Sequence, residues 1–387
     1  MNPTRVLFIV GSMDIGGVQS GIMSFIRITP PDQIHFEVIV LSHKKGYHEA
    51  EFRKYGNVYP IPLLKAPNKY LSIPCTLLND IILRNRLSRF LKAHTPFDAI
   101  HTKLLKGTAP AMEVAKKRGV SVRIAQSHVD RPDRLNPFDT WYYRWCARRI
   151  ERCATVKLAV SKKAADLLFD RNGARVIKNP TVDLKRLNPR KYNCTPHSEI
   201  RLIQIGTFSN RKNQCFSVNI LKQLLDMGQA AKLFFIGYPL DGSEYVHEIE
   251  KSVAELGLEG SVVFLPRDTD VPLALSRSDY MLIPSLREGL PNVALEGQAM
   301  GVPCFLSDAI TKAADCGLCV FLPLEAGAEA WAREVLRYRA EHGVEKQYVD
   351  MSAWDQREVV KEYIQIWQGH NVPSREGNER DAENSQD

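Results

Sequence analysis

SLREGLPNVALEGQAMGVP, residues 285–303, is the stretch on which the interpretation of the rest of the chain depends. It follows a short apolar run, Tyr280–Pro284, that is typical of a buried strand. After a polar loop, a helix is predicted from Asn292 to about Met300, and Gly301–Pro303 ends it. A helix that begins directly after a strand points unpaired backbone N–H groups and the positive end of its dipole at one spot. The sequence therefore predicts a turn that binds phosphate.

Two carboxylates flank this turn. Glu288 lies in the loop, and Glu296 lies about one turn into the helix. Because a carboxylate close to a phosphate would repel it, we interpret both as acceptors for hydroxyl groups, which sugars and riboses supply. Phosphate and hydroxyls at one site indicate a nucleotide-sugar. The alternative is that these acidic residues only stabilise the helix dipole, by about 0.3–1 kcal/mol. The spacing alone leaves both interpretations open.

The residues from Glu288 to Pro303 resemble a known signature. They match the pattern E-G-L-P-N-V-x-L-E-x-x-A-x-G-x-P, the donor-site motif of retaining glycosyltransferases with the GT-B fold, of the family 4 or group 1 type. The resemblance implies an α/β chain in which two doubly wound, Rossmann-like domains face each other across a cleft.

Both halves of the chain have the pattern that this fold requires. In the first half, the strand RVLFIV (5–10) leads into a loop with Gly16 and Gly17, and predicted strands then alternate with helices, which indicates a parallel sheet. We expect an acceptor-side domain over 1–185, a nucleotide-sugar-binding domain over 199–350, a helix over 354–368 that packs back on the first domain, and a disordered tail over 369–387.

The loop after the first strand of the second domain departs from the family pattern. In the resembled family this loop reads G-R-x-x-x-x-K-N, and its Arg and Lys neutralise the donor diphosphate. Lys212 and Asn213 match the end of the pattern, whereas Thr207 stands at the Arg position. Arg211, next to the Lys, is the candidate that would replace the missing cation.

By the same resemblance, the donor-binding residues lie in loops at the carboxyl ends of strands. They are Gly16, Gly17, Thr207, Arg211, Lys212, Gly237, Arg267, Glu288, Gly289, Leu290, Pro291, Asn292, Val293 and Glu296. Glu296 is expected to hold the ribose hydroxyls and Glu288 a hydroxyl of the transferred sugar. Lys212 and the amides at Pro291–Val293 are expected to hold the diphosphate, and the nucleobase is expected near Gly237 and Pro266–Arg267.

The expected catalytic residues are Glu288, Lys212 and His128, which follows the predicted strand Arg123–Gln126. A lone histidine is more often structural, but the resembled family places one here against the donor sugar. We expect no metal and no cofactor, because fixed cations and amides would stabilise the departing diphosphate.

The resemblance implies transfer of a hexosyl or N-acetylhexosaminyl group, with retention, from a nucleotide-sugar that we expect to be a UDP-sugar. The expected acceptor is a saccharide, lipid-linked, in capsule, exopolysaccharide or O-antigen biosynthesis. Two alternatives stay open. A nucleotide-sugar 2-epimerase shares the fold but lacks the signature, and a non-catalytic sugar-nucleotide-binding protein is suggested by Thr207.

Composition and charge bear on the compartment and the partners. The chain has 387 residues with 44% hydrophobic content, and no apolar run reaches the roughly 18 residues of a membrane span. The start resembles no signal peptide, and the eight Cys form no disulfide framework, so we expect a cytoplasmic protein. Residues 1–190 hold 33 Lys and Arg against 15 Asp and Glu, a net charge of +18, whereas the remainder carries −10.

The basic first half predicts an anionic partner. No nucleic-acid-binding motif is present, so an anionic membrane surface at the inner face of the cell membrane is the expected partner. The aromatic and basic helix predicted over Phe138–Arg152 (FDTWYYRWCARRIER) would contact that surface. The alternative is an ordinary amphipathic helix whose aromatic stripe faces the core.

Overall fold

The computed structural model describes residues 2–128, 136–169, 173–192, 197–237 and 244–370. The chain divides into two compact units, which are described separately. Unit 1 comprises 1–181 with 356–387, and unit 2 comprises 182–355. The predicted disordered tail lies, from residue 371 onward, outside the described residues. No helix within the described ranges is long and apolar enough to cross a membrane.

Unit 1 is built on a parallel sheet, in which the described residues form seven strands in the order β3-β2-β1-β4-β5-β6-β7. The strands are β1 Thr4–Val10, β2 Ile34–Val40, β3 Val58–Pro60, β4 Ala99–Thr102, β5 Val122–Ser127, β6 Val156–Ala159 and β7 Arg175–Val176. The helices are α1 Gly17–Ile28, α2 Glu49–Phe52, α3 Ser72–Ala93, α4 Thr108–Lys117, α5 Pro137–Cys153 and α6 Lys162–Leu168.

Unit 2 repeats this architecture with a parallel sheet in which the described residues form six strands, in the order β10-β9-β8-β11-β12-β13. The strands are β8 Ile200–Ile205, β9 Ala231–Ile236, β10 Val262–Leu265, β11 Tyr280–Ile283, β12 Cys304–Ser307 and β13 Cys319–Leu322. The helices are α7 Gln214–Asp226, α8 Tyr245–Glu255, α9 Val271–Ser276, α10 Asn292–Ala299 and α11 Gly327–His342.

The continuous apolar runs of the sequence become the central strands. β1 pairs with β2 on one side and β4 on the other, and its residues from Val6 to Val10 are fully buried. A strand covered by helices on both faces needs apolar side chains on both faces, which explains why RVLFIV does not alternate. The expected α/β fold with two doubly wound sheets is confirmed.

A helix from the far end of the described chain completes the core of unit 1. This helix, α12 (Gln356–Trp367), buries Tyr363 and Trp367 completely. The Trp367 ring meets those of Phe8 and Phe25 edge-on, with centroid distances of 5.9 and 4.9 Å. Aromatic pairs of this geometry contribute about 0.5–1.5 kcal/mol each beyond the area that they bury.

Candidate functional site

Two loops of unit 2 meet because their strands are neighbours. β8 and β11 lie side by side and run parallel, so the loops that follow them emerge at the same edge of the sheet. The N–H of Leu286 donates to the carbonyl of Arg211 at 2.8 Å, which ties the two loops together. The sequence-predicted Lys212 and Glu288 belong to these loops.

Lys212 and Glu288 form an ion pair. Lys212 Nζ lies 2.5 Å from Glu288 Oε1, and both side chains are largely buried. The same carboxylate oxygen accepts a hydrogen bond from Ser285 Oγ at 2.9 Å. A largely buried carboxylate requires such compensation, because removing an unpaired charge from water is costly.

Local backbone geometry directs Lys212 toward this carboxylate. Asn213 adopts a left-handed conformation, with φ of 56°, directly before helix α7. The N–H of Lys212 donates to Ser209, and its carbonyl accepts from the Gln204 side chain at 2.8 Å. Gly206 has φ of +148°, and a Cβ there would lie 3.3 Å from Lys212 Cε. The positive φ therefore favours glycine at 206, and a Cβ there would require a small shift of the Lys212 side chain.

Thr207 and Arg211 lie in the same loop with different surroundings. The Thr207 carbonyl accepts from Gln214 Nε2 at 3.0 Å, so this residue helps to shape the turn. The Arg211 side chain is partly exposed, and no described residue forms an ion pair or hydrogen bond with its guanidinium. Arg211 thus offers an uncommitted cation one residue away from the Lys212–Glu288 pair.

The turn at the start of α10 is tight. The N–H of Asn292 donates to Leu290, and that of Ala294 donates to Pro291, both at 2.9 Å. Gly289, Leu290 and Pro291 are buried, whereas Asn292 and Val293 are partly exposed. The Asn292 side-chain oxygen is buried and accepts no hydrogen bond from the described residues.

Glu296 lies on α10, separate from the ion pair. Its side chain keeps some exposure, yet the surrounding protein atoms desolvate it and raise the pKa of its carboxyl to about 7. The positive charge of Arg186 opposes this shift and is the smaller effect. Close to neutral pH, Glu296 therefore exchanges between the acid and the carboxylate, which only accepts hydrogen bonds.

Gly237 and Arg267 follow strands β9 and β10 at this edge of the sheet. A Cβ on Gly237 would lie 2.1 Å from the Gly206 carbonyl oxygen, so only glycine allows the two loops to approach this closely. Arg267 is exposed. Both residues lie at the carboxyl end of their strands, as the sequence predicted, because the sheet is parallel throughout.

In unit 1, Gly16 and Gly17 form the start of α1 directly after the loop that follows β1. The Gly16 carbonyl accepts from the Ser20 N–H at 2.8 Å, and Gln19 Nε2 donates to the Ser12 carbonyl at 2.9 Å. The first turn of α1 carries no acidic residue. The positive end of this helix is thus not neutralised by a carboxylate of its own first turn.

His128 follows β5, is partly exposed, and contacts a buried polar cluster that the sequence analysis missed. Its Nε2 lies 3.3 Å from Nζ of Lys103, which follows the neighbouring strand β4. Lys103 also donates to Gln126 Oε1 at 2.6 Å, and the same oxygen accepts from His101 at 2.8 Å. Desolvation and the charge of Lys103 hold the pKa of His128 well below its usual range, so its ring is neutral. The signal available in the sequence was the polar pair His101 and Lys103 at the end of a predicted strand.

Lys103 itself is 6% exposed. Burial lowers the pKa of its ammonium to about 7, and no carboxylate of the described residues forms an ion pair with it. Instead, Nζ lies 5.3 and 5.7 Å from the ring centroids of Phe25 and Tyr363. Aromatic faces attract a desolvated cation, which offsets part of the cost of its burial.

The predicted residues therefore fall into two groups. In unit 2, Glu288, Lys212 and the α10 turn share one sheet edge, with Glu296, Arg211, Gly237 and Arg267 in loops or helices at that edge. In unit 1, Gly16, Gly17 and His128 follow β1 and β5. The first group combines a cation, hydroxyl acceptors and a helix start, and the second combines a helix start and a neutral imidazole.

Two protein-family models match the chain. The model described as a glycosyl transferase 4-like domain matches residues 16–180, and the model described as glycosyl transferases group 1 matches residues 188–316. The match to the second model includes the Lys212–Glu288 pair and α10.

Individual proteins resemble part or most of the chain. The putative glycosyltransferase EpsF of Bacillus subtilis (strain 168) is 26% identical over 363 residues, which cover 89% of this chain and 90% of that protein. The Escherichia coli UDP-Gal:alpha-D-GlcNAc-diphosphoundecaprenol alpha-1,3-galactosyltransferase is 22% identical over 43% of this chain and 46% of its own length. Among solved structures, Anabaena Alr3699/HepE in complex with UDP and glucose superposes with a TM-score of 0.69 and 15% identity, covering 95% of this chain and 98% of that one.

Proposed function

The chain is a group 1 glycosyltransferase with the GT-B fold, and we propose that it transfers a hexosyl or N-acetylhexosaminyl group from a UDP-sugar to a lipid-linked saccharide. The observation that carries this proposal is the Lys212–Glu288 pair beside the start of α10. A cation and a carboxylate at the carboxyl edge of a parallel α/β sheet, where such sheets bind ligands, support this function. The structural relative that holds UDP and glucose supports the choice of donor.

In the proposed mechanism, the bond between the anomeric carbon and the diphosphate oxygen breaks while the acceptor hydroxyl bonds to that carbon. Lys212, Arg211 and the Val293 N–H at the start of α10 stabilise the negative charge that develops on the leaving diphosphate, whereas the N–H groups of Asn292 and Ala294 donate within the turn. Glu288 accepts a hydrogen bond from a sugar hydroxyl, and Glu296 accepts from the ribose. The proton of the acceptor hydroxyl passes to the leaving phosphate oxygen on the same face of the sugar, which gives retention.

A neutral His128 fits the remaining role. An imidazole with a low pKa donates one hydrogen bond to a sugar hydroxyl without adding a charge that would compete for the diphosphate. Because the stabilising charges belong to side chains, we propose that no metal or cofactor takes part. Transfer that persists in excess EDTA would support this, and loss of activity that Mg²⁺ or Mn²⁺ restores would overturn it.

The donor is tested first by thermal shift with a panel of nucleotide-sugars. A ligand at 100 times its Kd stabilises the folded state by about 2.7 kcal/mol, which moves the midpoint measurably. The stabilising donor is then incubated with a lipid-linked saccharide. Released UDP together with a new glycoside of retained configuration supports the proposal. An epimerised donor would identify a 2-epimerase, and binding without turnover would identify a non-catalytic protein.

The proposed acceptor implies a role in capsule, exopolysaccharide or O-antigen biosynthesis at the inner face of the cell membrane. The Escherichia coli relative is named for transfer to such a lipid-linked acceptor. We propose that unit 1 of this chain binds an anionic membrane surface from the cytoplasmic side.

The structure offers a surface for this membrane contact on two helices. On α5, Trp141 is exposed on the same stripe as Arg144 and Arg148, whereas Tyr142 is buried in the core. Lys106 bridges Asp139 of α5 and Thr76 of α3, so the two helices begin side by side. The start of α3 and the turn before it carry further exposed apolar side chains: Tyr70, Leu71, Ile73, Leu77, Leu78 and Ile81.

A flotation assay tests the membrane proposal. The protein is expected to float with vesicles that contain anionic lipid and to stay behind with neutral ones, and its binding should fall as salt rises. Exchanging Ile73, Leu77 and Ile81 for Ser should reduce flotation, and Trp141→Ala should reduce it further. Val344→Ser, an exposed apolar residue of unit 2, is the matched control. Failure of the wild type to float at low salt would refute the membrane contact without affecting the donor assignment.

A further inference from the structure

In the buried cluster around Lys103, the hydrogen-bond partners determine which atoms carry the protons. Trp367 Nε1–H donates to His101 Nδ1 at 3.3 Å, because indole nitrogen can only donate. His101 must therefore carry its own proton on Nε2, which donates to Gln126 Oε1 at 2.8 Å. Gln126 in turn donates through Nε2 to the Tyr363 hydroxyl at 2.8 Å, and that hydroxyl donates to the Lys178 carbonyl.

These bonds fix the side-chain amide of Gln126, and Gln126 fixes Lys103. The amide oxygen already accepts from His101 and has its second acceptor site directed at Lys103 Nζ, at 2.6 Å. The ammonium of Lys103 therefore points toward the end of β5, where His128 Nε2 lies 3.3 Å away. A protonated lysine has three donors and no acceptor, so the imidazole nitrogen that faces it must be the unprotonated one.

We propose that Lys103 is a positioning residue that holds His128 as the Nδ1–H tautomer and leaves that N–H free to donate to a hydroxyl of the bound sugar. No described residue accepts a hydrogen bond from His128 Nδ1. The inference rests on the proposed function for the identity of the ligand, but the effect of Lys103 on the histidine ring is a property of unit 1 alone. When the tautomer of the imidazole is fixed before the ligand binds, less free energy is lost in orienting its N–H group.

Because Lys103 sets the tautomer of His128, the hydrogen bond that His128 Nδ1–H can donate should depend on pH. The groups that face Lys103 are His101 from β4, Gln126 and His128 from β5, the Phe25 ring from α1 and the Tyr363 ring from α12. His101 is neutral, because burial holds its pKa well below the usual range. When Lys103 loses its proton, with a pKa of about 7, its amine gains a lone pair and accepts as well as donates. The preference for the Nδ1–H tautomer should then weaken.

Nitrogen-15 NMR of histidine in the full chain tests the proposal directly. Spectra of the wild type, Lys103→Met and Lys103→Arg are compared between pH 5.5 and 8.5, with His128→Gln identifying the His128 signals. In the wild type we expect Nδ1 to be protonated below about pH 7. In Lys103→Met the Nε2–H tautomer should appear and the pKa of His128 should rise. Lys103→Arg should retain the wild-type tautomer. An unchanged tautomer and pKa in Lys103→Met would overturn the proposal.

Kinetics with the identified donor provide a second readout. Lys103→Met should lower kcat about tenfold, the effect of losing one well-placed hydrogen bond, with little change in the KM for the donor. Binding of UDP by thermal shift should be unchanged, and the unfolding midpoint shows whether the variant folds. If the wild type uses no nucleotide-sugar, the proposed function fails, while the NMR result still decides whether Lys103 orients His128.

Discussion

Lys103 and Lys212 both follow a central strand of a parallel sheet at its carboxyl end, yet their surroundings differ. Lys212 has a carboxylate 2.5 Å away, and the pair is electrically neutral as a whole. Lys103 has an amide oxygen and an imidazole nitrogen, and its charge has no carboxylate partner among the described residues. Burial therefore lowers the pKa of Lys103 to about 7. One lysine supplies a charge balanced by a partner, and the other supplies a directed hydrogen bond at the expense of stability.

The largest effect is expected from Lys212→Ala. Loss of the cation beside the diphosphate should lower kcat by about 100-fold or more, since removal of one preorganised stabilising group costs that much in other enzymes. It should also destabilise the fold by about 3 kcal/mol, because Glu288 loses its partner while it stays largely buried. Steady-state kinetics and urea unfolding measure the two effects.

Two further variants separate charge from packing at Lys212. Lys251→Ala, at an exposed position of α8, should change neither quantity. The double variant Lys212→Met with Glu288→Gln should regain stability but not activity, because it buries no unpaired charge. Full activity in Lys212→Ala would remove Lys212 from the proposed mechanism.

Replacing Lys103 is expected to stabilise the fold, whereas replacing Lys212 is expected to destabilise it. The pKa is about 7 in the folded chain and near 10.5 in the unfolded chain, so between these values the unfolded state binds more protons. The free energy of unfolding should therefore gain a contribution that rises with pH over this window, by at most about 1.4 kcal/mol per pH unit. Lys103→Met should lack this contribution and be more stable than the wild type at pH 6.

Urea unfolding at pH 6, 7, 8 and 9 checks this expectation. Lys117→Met, at an exposed position of α4, serves as the control and should keep the wild-type pH dependence. If the free energy of unfolding varies with pH in the same way for the wild type and Lys103→Met, Lys103 keeps its proton throughout. The proposed difference between Lys103 and Lys212 would then be wrong.

Glu296 extends the comparison to a carboxylate that forms no ion pair with the described residues. If its ionised form accepts from the ribose hydroxyls, UDP should bind more tightly as pH rises through about 7, the pKa to which burial raises this carboxyl. Glu296→Gln should bind UDP about tenfold more weakly at pH 8, as expected for one hydrogen bond to a charged group. Its affinity should also vary less with pH. Calorimetry at pH 6 and 8 gives both quantities, and equal affinity of the variant and the wild type would rule out the ribose contact.

The smallest effect is expected from Arg211→Ala. The guanidinium is partly exposed, so its attraction for the diphosphate is screened and should be worth a severalfold loss in kcat/KM. Arg287→Ala, an exposed residue of the neighbouring loop, is the matched control. If the two variants behave alike, Arg211 does not replace the cation that is missing at Thr207.

Much of this arrangement could be predicted from the sequence. Continuous apolar runs and strand-loop-helix repeats indicated two doubly wound sheets, and the α10 helix begins at Asn292 as expected. The predicted helix over Phe138–Arg152 became Pro137–Cys153, with Asn136 as its cap. Strands such as β3 and β7 were not assigned, because two or three residues carry too little periodicity.

The partners of individual side chains were harder to foresee. Lys103 and His128 are 25 residues apart, and they meet only because β4 and β5 are neighbours in register. The same applies to Lys212 and Glu288, which are 76 residues apart and lie in loops after β8 and β11. Strand order is a property of the assembled sheet. A sequence motif can therefore identify these residues as candidates, but it does not predict which of them contact each other.

The return of α12 to unit 1 has a consequence for how the chain folds during synthesis. Residues 182–355 form a continuous segment, so unit 2 has all of its core as soon as it leaves the ribosome. Unit 1 lacks Tyr363 and Trp367 until about 180 further residues have been made, which takes on the order of 10–40 s. During that interval the rings of Phe8 and Phe25 lack the aromatic side chains of α12 that pack against them. Although it is translated first, unit 1 therefore completes its core after unit 2.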